Sequence, residues 1–102
     1  MATIVKMGQS NYLVTLTDKK EELGRIECYQ LKHEIAKIIR PGREISLDIT
    51  GVKIIKISGY KILRELKHLA DSRRCKFQFI NVEEGVTNKI AGITGKKLVE
   101  HN

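Results

Sequence analysis

The order of segments along the chain predicts a small α/β domain: a mixed, mostly parallel sheet of about four to five strands with helices packed against it. Three observations carry this reading. An opening pair of β-rich runs is followed by alternating helix-like and strand-like segments, and successive strand-helix-strand units favour parallel pairing with right-handed crossovers. The length of 102 residues suffices for one core, so residues 1–102 are read as a single domain closed by a polar tail from about residue 96, where disorder is compatible with the composition. A composition of 41% hydrophobic and 30% charged residues can fill that core and solvate its surface.

Thr3–Met7 and Tyr12–Thr17 are β-rich runs separated by the turn-forming group Gly8-Gln9-Ser10-Asn11, which reads as a hairpin. The polar stretch Asp18 to Gly24 reads as a loop. A helix over about 26–39 follows, because Cys28, Leu31, Ile35, Ile38 and Ile39 recur at helical spacing on one face, and Pro41-Gly42 stops it. Ile45, Leu47 and Ile49 alternate with polar residues as in a strand, with an irregular continuation through Val52, Ile54 and Ile55 beyond Gly51. A second helix starts near Ser58. Its residues Gly59, Ile62, Leu63, Leu66, Leu69 and Ala70 fall on one arc of the wheel, the width of a core-facing stripe, while Lys61, Arg64, Lys67 and His68 lie outside it. Phe77 to Val82 reads as a covered strand, Val86 to Ala91 as a short helix.

Several function classes are excluded or disfavoured. Wholly apolar runs reach two or three residues, where a membrane span needs about 20. No basic stretch followed by a long apolar one opens the chain, so the cytoplasm is the expected location. Cys28 and Cys75 are far apart and outside any CxxC or Cys/His cluster, which points to reduced, buried thiols rather than a zinc site or a disulfide. His33, His68 and His101 have no partner at metal-ligand spacing and read as surface residues. Asp48 is the one acid within an apolar strand. Paired carboxylates do acid-base hydrolysis, so a lone one reads instead as an acceptor for the backbone of the loop that follows. Glycine-rich phosphate loops are missing. The expectation is a protein that is not an enzyme, with no catalytic residues, no metal and no cofactor.

The charge is uneven. Residues 53–76 hold eight basic residues against two acidic ones and so carry +6 of the chain's +7. This raises nucleic-acid binding as a possibility, but aromatic residues are 5% of the chain and form no stacking pattern, while Phe77 and Phe79 sit in an apolar strand and read as core. The plain reading of most of the charge run is a solvated helix face, with Lys61–Glu65 and Lys67–Asp71 as four-residue pairs of slight energetic value.

Ile45 to Leu63, ISLDITGVKIIKISGYKIL, resembles the central signature of the STAS domain, the fold of bacterial anti-sigma factor antagonists. That signature is a strand ending Asp-Leu-Ser-Gly-Val, a short stretch, then Asp-Ser-Ser-Gly and a Leu-rich helix. Asp48-Ile49-Thr50-Gly51-Val52 matches the first part and Ser58-Gly59 the end of the second, while Phe77 to Val82 resembles the strand after the helix. The resemblance covers residues 12–93 and is densest over 44–82. It implies a non-enzymatic module in a partner-switching network, bound by a GHKL-type ATPase that is both anti-sigma factor and serine kinase, or by another STAS protein, and released when a serine is phosphorylated. Here the family's motif Asp falls on Lys56 and its phosphorylated serine on Ile57. The usual switch is therefore replaced, and Ser58 reads as the N-cap of the helix rather than as a relocated phosphorylation site.

The expected partner-binding residues are Lys53, Lys56, Ile57, Ser58, Gly59, Lys61 and Arg64, the loop and first turns of the second helix. A basic surface there calls for an acidic partner. The same fold also serves as a small subunit bracing the ATPase of an ABC-type lipid transporter, which stands as the alternative, with nucleic-acid binding behind it.

Overall fold

In a computed structural model describing residues 2–18 and 20–95, the opening runs form the predicted hairpin. Strand β1 (Ala2–Lys6) pairs antiparallel with β2 (Asn11–Leu16), Ile4 opposite Val14, and the Met7 amide closes the turn on the Asn11 carbonyl at 2.8 Å. The polar stretch after it is not all loop. Glu22–Leu23 is a two-residue strand, β3, paired in parallel with β5 (Ile54–Ile55), and it leads into α1 (Arg25–Ala36). Two residues are too few to show a period of two, which is why the sequence pattern misses β3.

Helix α1 stops three residues short of the expected end. Ile38 and Ile39 continue in a tightened turn, their amides bonding Ile35 and Ala36 carbonyls three residues back, and Ile39 is still fully buried. Pro41 disfavours helical backbone at Arg40, so the chain has to leave the helix before it.

Strand β4 (Glu44–Asp48) joins β2, and β6 (Lys76–Ile80) joins β4, both in parallel. The four-stranded order is β1-β2-β4-β6, a mixed, mostly parallel sheet, with the β3/β5 pair beside it. The expected reach of β6 to Val82 is cut at Asn81, whose φ of 57° turns the backbone out of the ladder. Between β5 and β6 runs α2 (Ile57–Ser72), and α3 (Thr87–Thr94) follows a single 3-10 turn at Glu84–Val86.

Helices cover one sheet face. Ile45 and Leu47 of β4, Val14 of β2 and Phe77 of β6 point into a common core with Cys28, Leu31 and Ile35 of α1 and Leu63, Leu66 and Ala70 of α2. Phe79 packs at its edge, its ring centroid 5.1 Å from that of Phe77 in an edge-on contact. The other face is polar at its centre, where the Gln78 amide donates to Ser46 at 2.8 Å and to Glu44 at 3.2 Å. The helices approach each other closely through Gly59. A Cβ there would sit 2.9 Å from both Cys28 Sγ and the Leu23 carbonyl oxygen, so only glycine fits.

Candidate protein-interaction face

Strands β3 and β5 run side by side and each feeds a helix, so α1 and α2 begin at the same end of the molecule. The Lys56 amide donates to the Leu23 carbonyl at 2.9 Å, and the amides of Lys53 and Ile54 both donate to the Glu21 carbonyl, at 2.7 and 3.0 Å. These bonds fix the segment that carries the expected partner-binding residues. Gly51, with φ of 84°, turns the chain out of β4 into it.

Lys53, Lys56, Ile57, Ser58, Lys61 and Arg64 are all exposed and cluster on this end and on the adjoining outer face of α2. Gly59 does not share that surface. It is buried in the helix crossing, a packing position with nothing to offer a partner. Ser58 is not the N-cap either. Helix α2 starts one residue earlier than the sequence suggests, at Ile57, and its N-cap is Lys56, in extended backbone with φ of −72° and ψ of 157°. Ser58 therefore sits in the second helical position.

A lysine N-cap leaves the first turn poorly served. Its side chain has no oxygen to accept an orphan amide, no acidic residue occupies the first turn, and the ammonium adds positive charge at the positive end of the helix dipole. Lys56 leans instead on Glu22 of β3, 3.3 Å away in a solvent-exposed ion pair. The start of α1 is better capped, since the Gly24 amide donates to Glu27 Oε1 at 3.0 Å. Hydrogen bonds from the Glu27 and Gly24 amides hold the Glu27 carboxyl below its ordinary range.

Apolar exposure marks the same region. Ile57 is 69% exposed, Ile54 50% and Ile26, at the start of α1, 68%. Sequence reasoning missed Ile26 and Ile54. Ile26 was legible as an isoleucine opposite the Cys28/Leu31/Ile35 stripe, whereas Ile54 differs from the buried Ile55 only by the register of a two-residue strand. Beside Ile57, a shallow hollow of about 390 Å³ opens between α2 and α3, floored by Tyr60 and rimmed by Lys61, Asn88 and Lys89. The Lys89 ammonium donates to the Ile55 carbonyl at 2.8 Å, which ties α3 to this segment.

Charges around the face are partly paired. Lys67 and Asp71 form the expected four-residue pair at 2.8 Å, but Glu65 turns from Lys61 to Lys32 of α1, 2.9 Å away. Lys53, Lys61 and Arg64 make no ion pair among the described residues. His33 and His68 are exposed, and His101 lies outside the described residues, as does the tail from about 96. Both cysteines are free and buried, and burial pushes the Cys28 thiol up to about 12. Among the described residues no group of three His, Cys, Asp or Glu side chains is placed to hold a metal ion, and no helix is long and apolar enough to cross a membrane.

Comparison with solved structures gives the fold a place. The chain superposes on part of the murine Solute Carrier 26 family member A9 (Slc26a9) anion transporter in the inward-facing state, with a TM-score of 0.64, 22% identity and coverage of 81% of this chain and 14% of that one. A second structure, the overall structure of SLC26A9, matches with a TM-score of 0.66 and 16% identity over 86% of this chain and 17% of that one. The fold is STAS-like. At these identities the likeness speaks for the fold alone, and the chain spans less than a fifth of the length of those chains. No protein-family model and no curated protein matches the chain.

Proposed function

We propose that this chain is a non-enzymatic, cytoplasmic STAS module that binds an acidic protein partner through the β5 segment and the first turns of α2. The observation that carries the reading is the exposure of Ile54 and Ile57 amid Lys53, Lys56, Lys61 and Arg64, at a helix start that its own sequence leaves without an acceptor. An apolar anchor ringed by exposed cations, of which only Lys56 has an ion-pair partner among the described residues, is what a partner with an apolar residue flanked by carboxylates would cover. The resemblance to anti-sigma factor antagonists supports a GHKL-type kinase or another STAS protein in that role. With Ile57 at the position of the family's serine, the complex is not released by phosphorylation there.

A tagged pull-down from native lysate, nuclease-treated and compared between the unaltered chain and the variants Lys56→Asp and Ile57→Asp, tests this. Recovery of a GHKL kinase, sigma regulator or STAS protein by the unaltered chain but not by the variants is expected. Equal recovery by all three removes the site. Recovery of an ATPase with Walker motifs moves the function to a transporter subunit, and retention that vanishes with nuclease moves it to nucleic acid.

A further inference from the structure

A second feature lies at the C-terminal ends of the parallel strands β2 and β4, adjoining the interaction face at Lys53. There the segments that leave the two strands line a half-open hollow of about 420 Å³, within the size range of small-molecule sites. Its walls are Asp18, Lys20 and Glu21 on one side and Thr50, Gly51 and Lys53 on the other, joined by the bonds of the Lys53 and Ile54 amides to the Glu21 carbonyl. Thr15 and Asp48, register partners on adjacent strands, also line it.

Asp48 is held in a single pose. Its Oδ1 accepts the Thr50 hydroxyl at 2.6 Å, the Thr50 amide at 2.9 Å and the Asn81 side-chain amide at 3.1 Å, while no donor among the described residues reaches Oδ2. The result is an oriented carboxylate with one oxygen saturated and the other unused. Lys20 and Lys53 line the same hollow and form no ion pair among the described residues, and Asp18 and Glu21 complete the charged lining.

We infer that this hollow binds a small zwitterion of the amino-acid class, its cationic end on Asp48 and its carboxylate on Lys20 and Lys53. The mixed lining selects that chemistry. A simple anion would meet three carboxylates and a simple cation two ammoniums, whereas a ligand carrying both charges at separate ends satisfies each group. Three acids against two lysines favour a ligand of net positive charge, which makes L-arginine the probe of choice.

The test is an NMR titration of the intact chain with L-arginine, and separately with its two halves, methylguanidinium and acetate, following the amides of Thr50, Gly51 and Lys53. L-arginine is expected to shift them saturably at millimolar concentration. Asp48→Asn keeps an oxygen for Thr50 and so keeps the loop, yet is expected to weaken binding ~10-fold or more by removing the charge. Lys20→Gln is expected to weaken L-arginine several-fold and to leave methylguanidinium unchanged. The inference is overturned if L-arginine produces no shift up to about 20 mM, beyond the weak end of specific affinity, or if Asp48→Asn binds it equally. Either half binding as tightly as the whole overturns it too. The two sites share Lys53 but not Asp48 or Lys20, which lie off the α2 face, so failure read at Asp48 and Lys20 leaves the protein-interaction proposal standing, and failure read at Lys56 and Ile57 leaves this one.

Discussion

The Cys28 Sγ of α1 lies 2.9 Å from where a side chain on Gly59 of α2 would begin, so the two helices meet with no space for a methyl group. Two backbone carbonyls, of Leu23 and Gly24, stand at 2.9 and 3.0 Å from the same point. Gly59→Ala is therefore expected to destabilise the fold by about 2 kcal/mol, since overpacking forces backbone apart and outweighs the helix propensity alanine brings. Pairing it with Cys28→Ala removes only the sulfur from the clash. The double variant should stay well below the unaltered chain in urea unfolding, and full recovery would show that the carbonyls yield.

Lys56 sets stability against binding. Replacing this N-cap with Asp supplies the acceptor and the charge that the start of α2 lacks, worth about 1 kcal/mol, against the loss of an exposed pair with Glu22 worth about half of that or less. Lys56→Asp should then melt a few degrees higher than the unaltered chain while losing its partner. A variant that is both less stable and unbound would instead mean that Lys56 is a structural residue.

Much of this architecture is legible in the sequence because its elements repeat a period several times. The Gly59-to-Ala70 stripe of α2 buries Gly59, Leu63, Leu66 and Ala70 and half-buries Ile62 and Leu69, and the alternation of Ile45 and Leu47 in β4 with Ile49 just beyond it buries all three. Where the period is too short, the reading fails. β3 and β5 have two residues each and take their pairing from the tertiary fold, and with β5 goes the knowledge that Ile54 faces out while Ile55 faces in. At the start of α2 the serine's cap preference pointed to Ser58, but the bond of the Lys56 amide to Leu23 fixes the boundary two residues earlier. The exposed cations of the site are legible as a charge run, whereas Gly59, which falls on both the core-facing stripe and the expected partner-binding segment, is buried as the stripe has it.

The thiols give a test of the core itself. Burial pushes Cys28 up to about 12 and, acting on a less enclosed group, also raises Cys75. At pH 8 both are protonated and shielded, and thiolate is the reactive form. Neither should react with a thiol reagent in the folded protein, and both should react at once in denaturant. Fast labelling of Cys28 in the native state would contradict its place between α1 and α2.

Asp48 predicts how the fold responds to acid. Partial burial works to raise its carboxyl, but the hydrogen bonds from the Thr50 hydroxyl, the Asn81 amide and the Thr50 backbone outweigh it and hold the group below its ordinary value of 3.8. A carboxyl lowered in the folded state binds its proton more readily once unfolded, so its contribution is complete above the ordinary value and is lost as pH falls through the lower folded one. Asp48→Asn removes that titration while keeping an acceptor for Thr50. Urea unfolding followed from pH 6 into the acid range below 3.8 should therefore show the unaltered chain losing stability more steeply than Asp48→Asn. Parallel curves would mean that Asn81 and Thr50 do not hold the carboxylate, and that the tie between the ends of β4 and β6 is not made in solution.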